Sequence, residues 1–156
     1  MMANWRERGG WWVAGQFLLL GLVALFPNRG PRWPRPLVWD ARLLALPLFG
    51  VGGWLVASAP GALGANLTPF PRPRPAATLV RDGIYAEVRH PIYGGFILLA
   101  LGWALLTANT LRLVCAGALI ALFSAKARRE EAWLNERFPD YAAYADEVPR
   151  FLPNPW

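Results

Sequence analysis

Residues 92–125 read IYGGFILLALGWALLTANTLRLVCAGALIALFSA, two apolar runs separated by little more than Asn109 and Thr110. Arg112 is the only charged side chain in the stretch. A link this short joins two helices only as an antiparallel hairpin. The residues just before Ile92 therefore lie beside those just after Ala125, and two polar segments distant in sequence are brought to one end of a helical bundle.

Two further runs, 9–26 and 43–59, are nearly charge-free. Together with 92–108 they are 17 or 18 residues long, enough to reach roughly 25–27 Å as helices, near the low end for crossing a bilayer. The run 113–125 reaches that length when Leu111, Arg112, Lys126 and Ala127 are added, with the basic side chains snorkelling at its ends. Trp11, Trp12, Trp54 and Trp103 stand near run ends, where side chains anchored at the headgroup level are expected. Hydrophobic residues make up 55% of the chain and mean hydropathy is +0.26, leaving too little polar surface to cover four such helices in water. The expectation is an all-α fold: one domain, 1–156, built as an integral, multi-pass membrane bundle of about four transmembrane helices. The first run has a basic start but no small-x-small cleavage site before Asn28, so it reads as a retained helix.

The net charge is +6, and all basic residues but Lys126 are Arg. They are dispersed through the connecting segments with no basic face interleaved with aromatics, which points to anionic membrane lipids and away from nucleic acid. With both termini cytoplasmic, eleven basic residues fall on the cytoplasmic side and five opposite, the arrangement the positive-inside rule favours. The chain then divides into two N-terminal spans (1–60), a Pro-rich cytoplasmic loop (61–91), the hairpin (92–125) and an amphipathic tail (126–156). Pro69, Pro71, Pro73 and Pro75 alternate strictly, so the loop runs extended, either as a stiff linker or as a strap holding Asn66 and Thr68 near a site. Trp133, Leu134, Phe138 and Tyr141 form a stripe suited to a C-terminal interfacial helix, which Pro139 ends or kinks. The GVGG at 50–53 has no strand before it and reads as a helix-packing surface. Cys115, alone in an apolar run, reads as a small buried hydrophobe.

No phosphate loop, HExxH or CxxC motif is present, and His90 is the single histidine, so no metal site is expected. The remaining chemistry sits in GIYAEVRHPIYGG, residues 83–95, and KARREEAWL, residues 126–134. Pro91 suits the first position of a helix. That leaves Arg89 and His90 to cap it, beside free amides that favour a carboxylate. Glu130 and Glu131 point about 100° apart, so one faces inward and one solvent, or else they form surface ion pairs with Lys126 or Arg128. A ligand carrying both a carboxylate and cationic groups matches this set, with Tyr85 and Tyr93 as aromatic walls. S-adenosylmethionine is one such ligand among several.

GIYAEVRHPIYGG, followed one hairpin later by EEAWLNERFPDYAAYADEVPRFLP and preceded by LGANLTPFPRPRP, resembles the signature of the isoprenylcysteine carboxyl methyltransferase and phospholipid methyltransferase superfamily. The resemblance covers roughly residues 61–153. It implies a helical membrane enzyme that binds S-adenosylmethionine on its cytoplasmic side and receives a small or lipid-like apolar acceptor from the bilayer. Gly83, Tyr85, His90, Pro91 and Tyr93 would line the cofactor pocket with Arg89. Glu130 and Glu131 match the paired glutamates, at least one of which would contact the cofactor. Arg128 or Arg129, with Glu131, would serve the acceptor. Two alternatives stay open: a membrane NADPH-dependent reductase of the sterol reductase type, and a non-catalytic sensor that retains the pocket.

Overall fold

The computed structural model describes residues 4–28 and 33–153. Arg29 and Arg32, which enter the charge asymmetry, lie outside them. Every regular element among the described residues is helical: α1 (Gly10–Leu25), α2 (Arg35–Leu63), α3 (Pro91–Leu106), α4 (Thr110–Arg137) and α5 (Tyr141–Glu147), with 3-10 turns at Gly64–Asn66 and Gly83–Ala86. α2 with the turn after it (32 residues) and α4 (28 residues) are long and apolar enough to cross a membrane; α1 and α3 are shorter apolar helices. At 1.5 Å per residue α4 extends roughly 42 Å. It therefore outruns a hydrocarbon core of about 30 Å, and its polar end, residues 128–137, projects beyond the apolar part.

The α3–α4 hairpin closes as its sequence requires. Asn109 N–H donates to the Ala104 carbonyl, Ala108 adopts a positive φ of 46°, and the Asn109 side chain caps α4 by accepting from Arg112 N–H at 3.1 Å. An Asn here satisfies one of the free amides of the first turn. The same Asn109 donates to the Pro27 carbonyl, and Arg112 donates to that of Phe26. These bonds tie the end of α1 to the hairpin.

α3 is the central helix. One side joins Val23 of α1 and Ala116, Leu119 and Phe123 of α4 in a core through Ile97 and Ala100. The other meets Leu55 and Ala59 of α2, with Ile84, Tyr85 and Val88 of the loop, through Leu98. Contact with α2 is close because glycines face each other. A Cβ on Gly95 would stand 2.7 Å from the Gly52 carbonyl oxygen and 2.6 Å from Val56 Cγ2. Of the GVGG expected to be a packing surface, Gly52 meets α3, while Gly50 and Gly53 face open space. Pro47 and Pro60 lie inside α2, tolerated in membrane helices when neighbours satisfy the freed backbone groups. Trp11, Phe17 and Leu25 of α1, Trp39, Leu43 and Leu46 of α2, and Val114 of α4 point outward. So much exposed apolar surface on one small bundle matches a lipid-facing perimeter. α4 runs unbroken past Ala125 to Arg137, and Pro139 separates it from the short α5.

Gly95→Leu should abolish recovery of folded protein because no rotamer clears the Gly52 backbone. Gly50→Ala should shift the melting temperature little, or upward, since it removes backbone freedom worth about 0.5–1 kcal/mol in a helix. Thermal melting of the detergent-purified variants measures both.

Candidate functional site

The start of α3, the polar end of α4 and the segment after α5 converge. Arg89 N–H donates to the Pro149 carbonyl and His90 N–H to that of Arg150, both at 2.9 Å. This pairing lays the tail across the first turn of α3, with the Phe151 backbone against Gly94, where a side chain would collide with it. Glycine is required there for close approach.

Glu131 receives the groups assembled by that crossing. Its Oε1 lies 3.1 Å from His90 Nε2 and 2.9 Å from Arg150 Nε, and its Oε2 accepts from Arg150 Nη2 at 2.7 Å. Arg89 Nη2 stands 3.4 Å away. Burial alone would raise this carboxyl, which sits past the apolar part of α4, but the hydrogen bonds from His90 and Arg150 and the charges of His90 and Arg89 hold it well below the usual carboxylate range. Glu131 is therefore an anion with both oxygens engaged. Arg89 also donates to the Ala145 carbonyl in the last turn of α5, where a cation meets the negative end of the helix.

Glu130 turns to a different neighbour. Its Oε2 accepts from the Tyr93 hydroxyl at 2.7 Å and lies 4.0 Å from His90 Nδ1. Neither glutamate faces solvent alone, contrary to the expected split; their side chains are 25% and 14% exposed. The 100° between them lets the pair straddle His90. The His90 ring stacks on Tyr93 with centroids 5.2 Å apart, and Tyr93 stacks on Phe123 at 4.8 Å. His90 occupies the cap position of α3, yet its side chain makes no capping bond. The imidazole is drawn sideways to the glutamates instead.

A cavity of about 90 Å³ opens beside this cluster, walled by Tyr85, Arg89, His90, Glu130, Leu134, Tyr141 and Tyr144 and covered by the Pro-rich segment from Asn66 to Val80. The cover is tied down at several points. Asn66 exchanges hydrogen bonds with Thr78, Arg74 donates to the Ala65 carbonyl, and Arg137 donates to the carbonyls of Arg74 and Pro75. The segment is thus a strap, and Thr68 lies in it at the cavity wall. Burial, and then the Glu130 charge, push the Tyr85 phenol far above its ordinary value; burial raises Tyr144 to about 12, and its hydroxyl donates to the Tyr85 carbonyl. These phenols stay protonated at neutral pH. Arg89 Nε and the Tyr141 hydroxyl are buried with no hydrogen-bond partner among the described residues.

Of the residues expected at the site, Tyr85, Arg89, His90 and Glu130 line this cavity. Glu131 stands behind His90, and Tyr93 lies on the far side of Glu130. Pro91 opens α3, and Gly83, at φ +59°, shapes the turn that delivers Tyr85. Leu134 and Tyr141, expected in an interfacial stripe, face the cavity. Arg128 and Arg129 are not brought to it. Both are exposed on the outer side of α4, and Arg129 lies over the Trp133 ring. The inward basic residue is Lys126, fully buried. Arg150, Lys126 and Gln16 were missed by sequence reasoning; four-residue spacing between Lys126 and Glu130, which sets both on one helix face, was the available signal for one of them.

Removing the Glu131 carboxylate leaves Arg89, Arg150 and His90 facing one another. Glu131→Ala should cost about 3 kcal/mol, whereas Glu136→Ala, exposed and without such partners, should be silent. Denaturant titration of both variants in detergent micelles provides the comparison.

The model of the phospholipid methyltransferase family matches residues 41–141. The cobalt-zinc-cadmium resistance protein CzcN of Cupriavidus metallidurans is 30% identical over 147 residues, 93% of this chain and 62% of that protein. The protein-S-isoprenylcysteine O-methyltransferase of Schizosaccharomyces pombe is 44% identical over 77 residues, 48% of this chain and 33% of that one. The solved structure of the eukaryotic intramembrane Ras methyltransferase ICMT superposes with a TM-score of 0.61 at 21% identity, covering 97% of this chain and 54% of that one; at that identity the likeness is one of fold. The chain spans less than two thirds of the length of each of these relatives. The family match encloses α3, α4 and most of α2, together with the histidine and both glutamates of the cluster, and on that ground the chain belongs to the phospholipid methyltransferase family, within the superfamily that includes the isoprenylcysteine carboxyl methyltransferases.

Proposed function

We propose that the protein is a membrane methyltransferase that uses S-adenosylmethionine and acts on a small or lipid-like apolar acceptor. In this reading α1 to α4 cross the bilayer, both termini are cytoplasmic, and the strap and tail lie on that face. The observation that carries the reading is the wall of the strapped cavity, which sets the opposite charges of Arg89 and Glu130 together, with two buried donors lacking partners, Arg89 Nε and the Tyr141 hydroxyl, on its lining residues. The Arg89 guanidinium and the Tyr141 hydroxyl suit a carboxylate, and Glu130 suits an ammonium. S-adenosylmethionine carries both groups and supplies, when bound, an electrophilic methyl on a positively charged sulfur.

The chain's own residues do the positioning. Glu131 holds Arg89 and His90 in place without touching the cavity, and Tyr93 keeps Glu130 oriented. Preorganised groups of this kind favour transfer by fixing reactants and excluding water. At about 90 Å³ the cavity is smaller than the roughly 300–1,000 Å³ of typical small-molecule sites, so binding displaces the strap outward.

Isothermal titration of the detergent-purified protein with S-adenosylhomocysteine, the demethylated cofactor, tests the reading. Binding should be measurable for the wild type and for Arg128→Ala and Arg129→Ala, and at least tenfold weaker for Glu130→Gln. NADPH should not bind. Folded wild-type protein that binds NADPH but no S-adenosylhomocysteine would overturn the proposal in favour of a reductase.

A further inference from the structure

The strap has to move for the cavity beneath it to fill, and its two halves are held unequally. The near half is fixed to the bundle. Pro71 is fully buried, a Cβ on Gly9 would stand 2.7 Å from its Cγ, and the Arg8 guanidinium lies 4.1 Å from the Phe70 ring centroid. Lys126, itself buried, donates to the Pro69 carbonyl at 2.8 Å and to the Gln16 side chain, so α1 and α4 grip this half together. The far half, residues 72–77, is held to α4 from outside: Arg137 donates to the Arg74 carbonyl at 2.8 Å and to that of Pro75. Arg72, Arg74, Pro75 and Arg137 are all exposed, so water competes for these contacts. Pro73 and Ala77 of this half line the cavity, and its displacement opens the site.

That outer contact is also where arginines dispersed in the sequence are gathered around aromatic rings. The guanidinium of Arg129 lies 4.5 Å and that of Arg72 5.9 Å from the Trp133 ring centroid, and Arg137 lies 5.4 Å from that of Phe138. Among the described residues none of Arg72, Arg74, Arg129 and Arg137 forms an ion pair, and Glu136 beside them forms none either. Arg137 gives its donors to neutral carbonyls, whereas guanidinium bonds to a phosphate are roughly twice as strong as bonds between neutral groups. An anion therefore outcompetes the strap for Arg137. The depth of the patch says which anion. At 1.5 Å per residue Trp133 stands roughly 35 Å from the Thr110 end of α4, just past a hydrocarbon core of about 30 Å, at the level of the headgroups. A half-buried indole among arginines suits that layer. A nucleic acid would need the patch clear of the membrane.

We propose that Arg72, Arg129 and Arg137, around Trp133, form a site for the phosphate of an anionic membrane lipid, and that its occupation draws Arg137 off the strap and opens the cavity. The proposal rests on the reading that α4 crosses the bilayer and that the strapped cavity takes S-adenosylmethionine, and it assigns the regulation of that site. Arg72 and Arg129 attract the headgroup, and Arg137 turns from the Arg74 and Pro75 carbonyls to the phosphate. The far half of the strap then swings between two fixed points, Pro71 and the Asn66–Thr78 pair. In a membrane without anionic lipid Arg137 stays on the strap, and the cavity exchanges its contents slowly.

The test uses nanodiscs of phosphatidylcholine alone, or of phosphatidylcholine and phosphatidylglycerol in about equal parts. Two quantities are measured in each: hydrogen–deuterium exchange of strap residues 72–80, and the association rate of labelled S-adenosylhomocysteine. With phosphatidylglycerol, wild type should show faster strap exchange and at least fivefold faster association, and both gains should fade in about 1 M salt, where the Debye length is about 3 Å. Arg137→Ala should be fast in both membranes, because the outer contact is gone; Arg137→Gln serves if the Ala variant does not fold. Arg72→Gln combined with Arg129→Gln should be slow in both, because the contact remains and the lipid is no longer held. Equal behaviour of wild type in the two membranes, slower exchange with phosphatidylglycerol, or a lipid effect that survives the double substitution overturns the proposal. The same acceleration by glycerol phosphate or an oligothymidylate added to uncharged nanodiscs overturns the assignment to lipid. Strap exchange that rises with phosphatidylglycerol while no S-adenosylhomocysteine binds in either membrane overturns the methyltransferase reading and leaves the lipid site standing.

Discussion

The polar end of this bundle depends on one carboxylate. Glu131 is the point at which the first turn of α3, the far end of α4 and the tail after α5 are joined, through His90, Arg89 and Arg150. An isolated exposed ion pair contributes little, because water competes for both partners and two long side chains must be immobilised. Glu131 escapes both limits. Its side chain is 14% exposed, it takes several donors at once, and the main chain of the tail is already held against α3 by two further hydrogen bonds. Each contact reduces the entropy cost of the next, as in any connected polar network.

This arrangement divides work between neighbouring glutamates. Successive residues on a helix diverge by about 100°, and α4 uses that angle to grip His90 from two sides. Glu131 looks toward the tail and is saturated by donors, so its role is to hold. Glu130 looks toward Tyr93 and the strapped cavity and keeps part of its surface open. Twice that angle, about 200°, separates inward Lys126 from outward Arg128. A helix whose polar end extends past its apolar part thus presents distinct chemistry on successive faces, and the bundle selects which of them is used.

α3 makes the selection possible. It is buried on both sides, with glycines where α2 and the tail come closest, and its first turn carries His90 and Tyr93 into the gap between the strap and α4. The stack of His90, Tyr93 and Phe123 forms a continuous aromatic column from the polar cluster into the apolar core. Two cavities flank that column, one strapped with Arg89, His90 and Glu130 in its wall, the other apolar and beside the exposed apolar face of α1.

Much of this was legible in the residues. Apolar run lengths and the short Asn109–Thr110 link dictate antiparallel helices, and that link alone brings residues near 90 beside residues near 130. Alternating prolines deny the loop its own helix, so it lies extended as a strap. These are local facts, set by backbone sterics and by the poor solvation of polar groups in hydrocarbon. What only the tertiary structure decided was which polar side chains meet. Arg150 has no periodic or compositional mark and becomes a partner of Glu131 because the tail crosses α3 at Gly94. Arg128 and Arg129 look equivalent to Lys126 in sequence, yet packing of α4 against α1 and α3 leaves them outside and places the lysine within. Sequence therefore determined the helices and the end at which chemistry collects, because those follow from contacts a few residues apart. The rotation of each helix against its neighbours, and with it the choice of site residues, follows from packing between segments as far apart as Gln16 and Lys126.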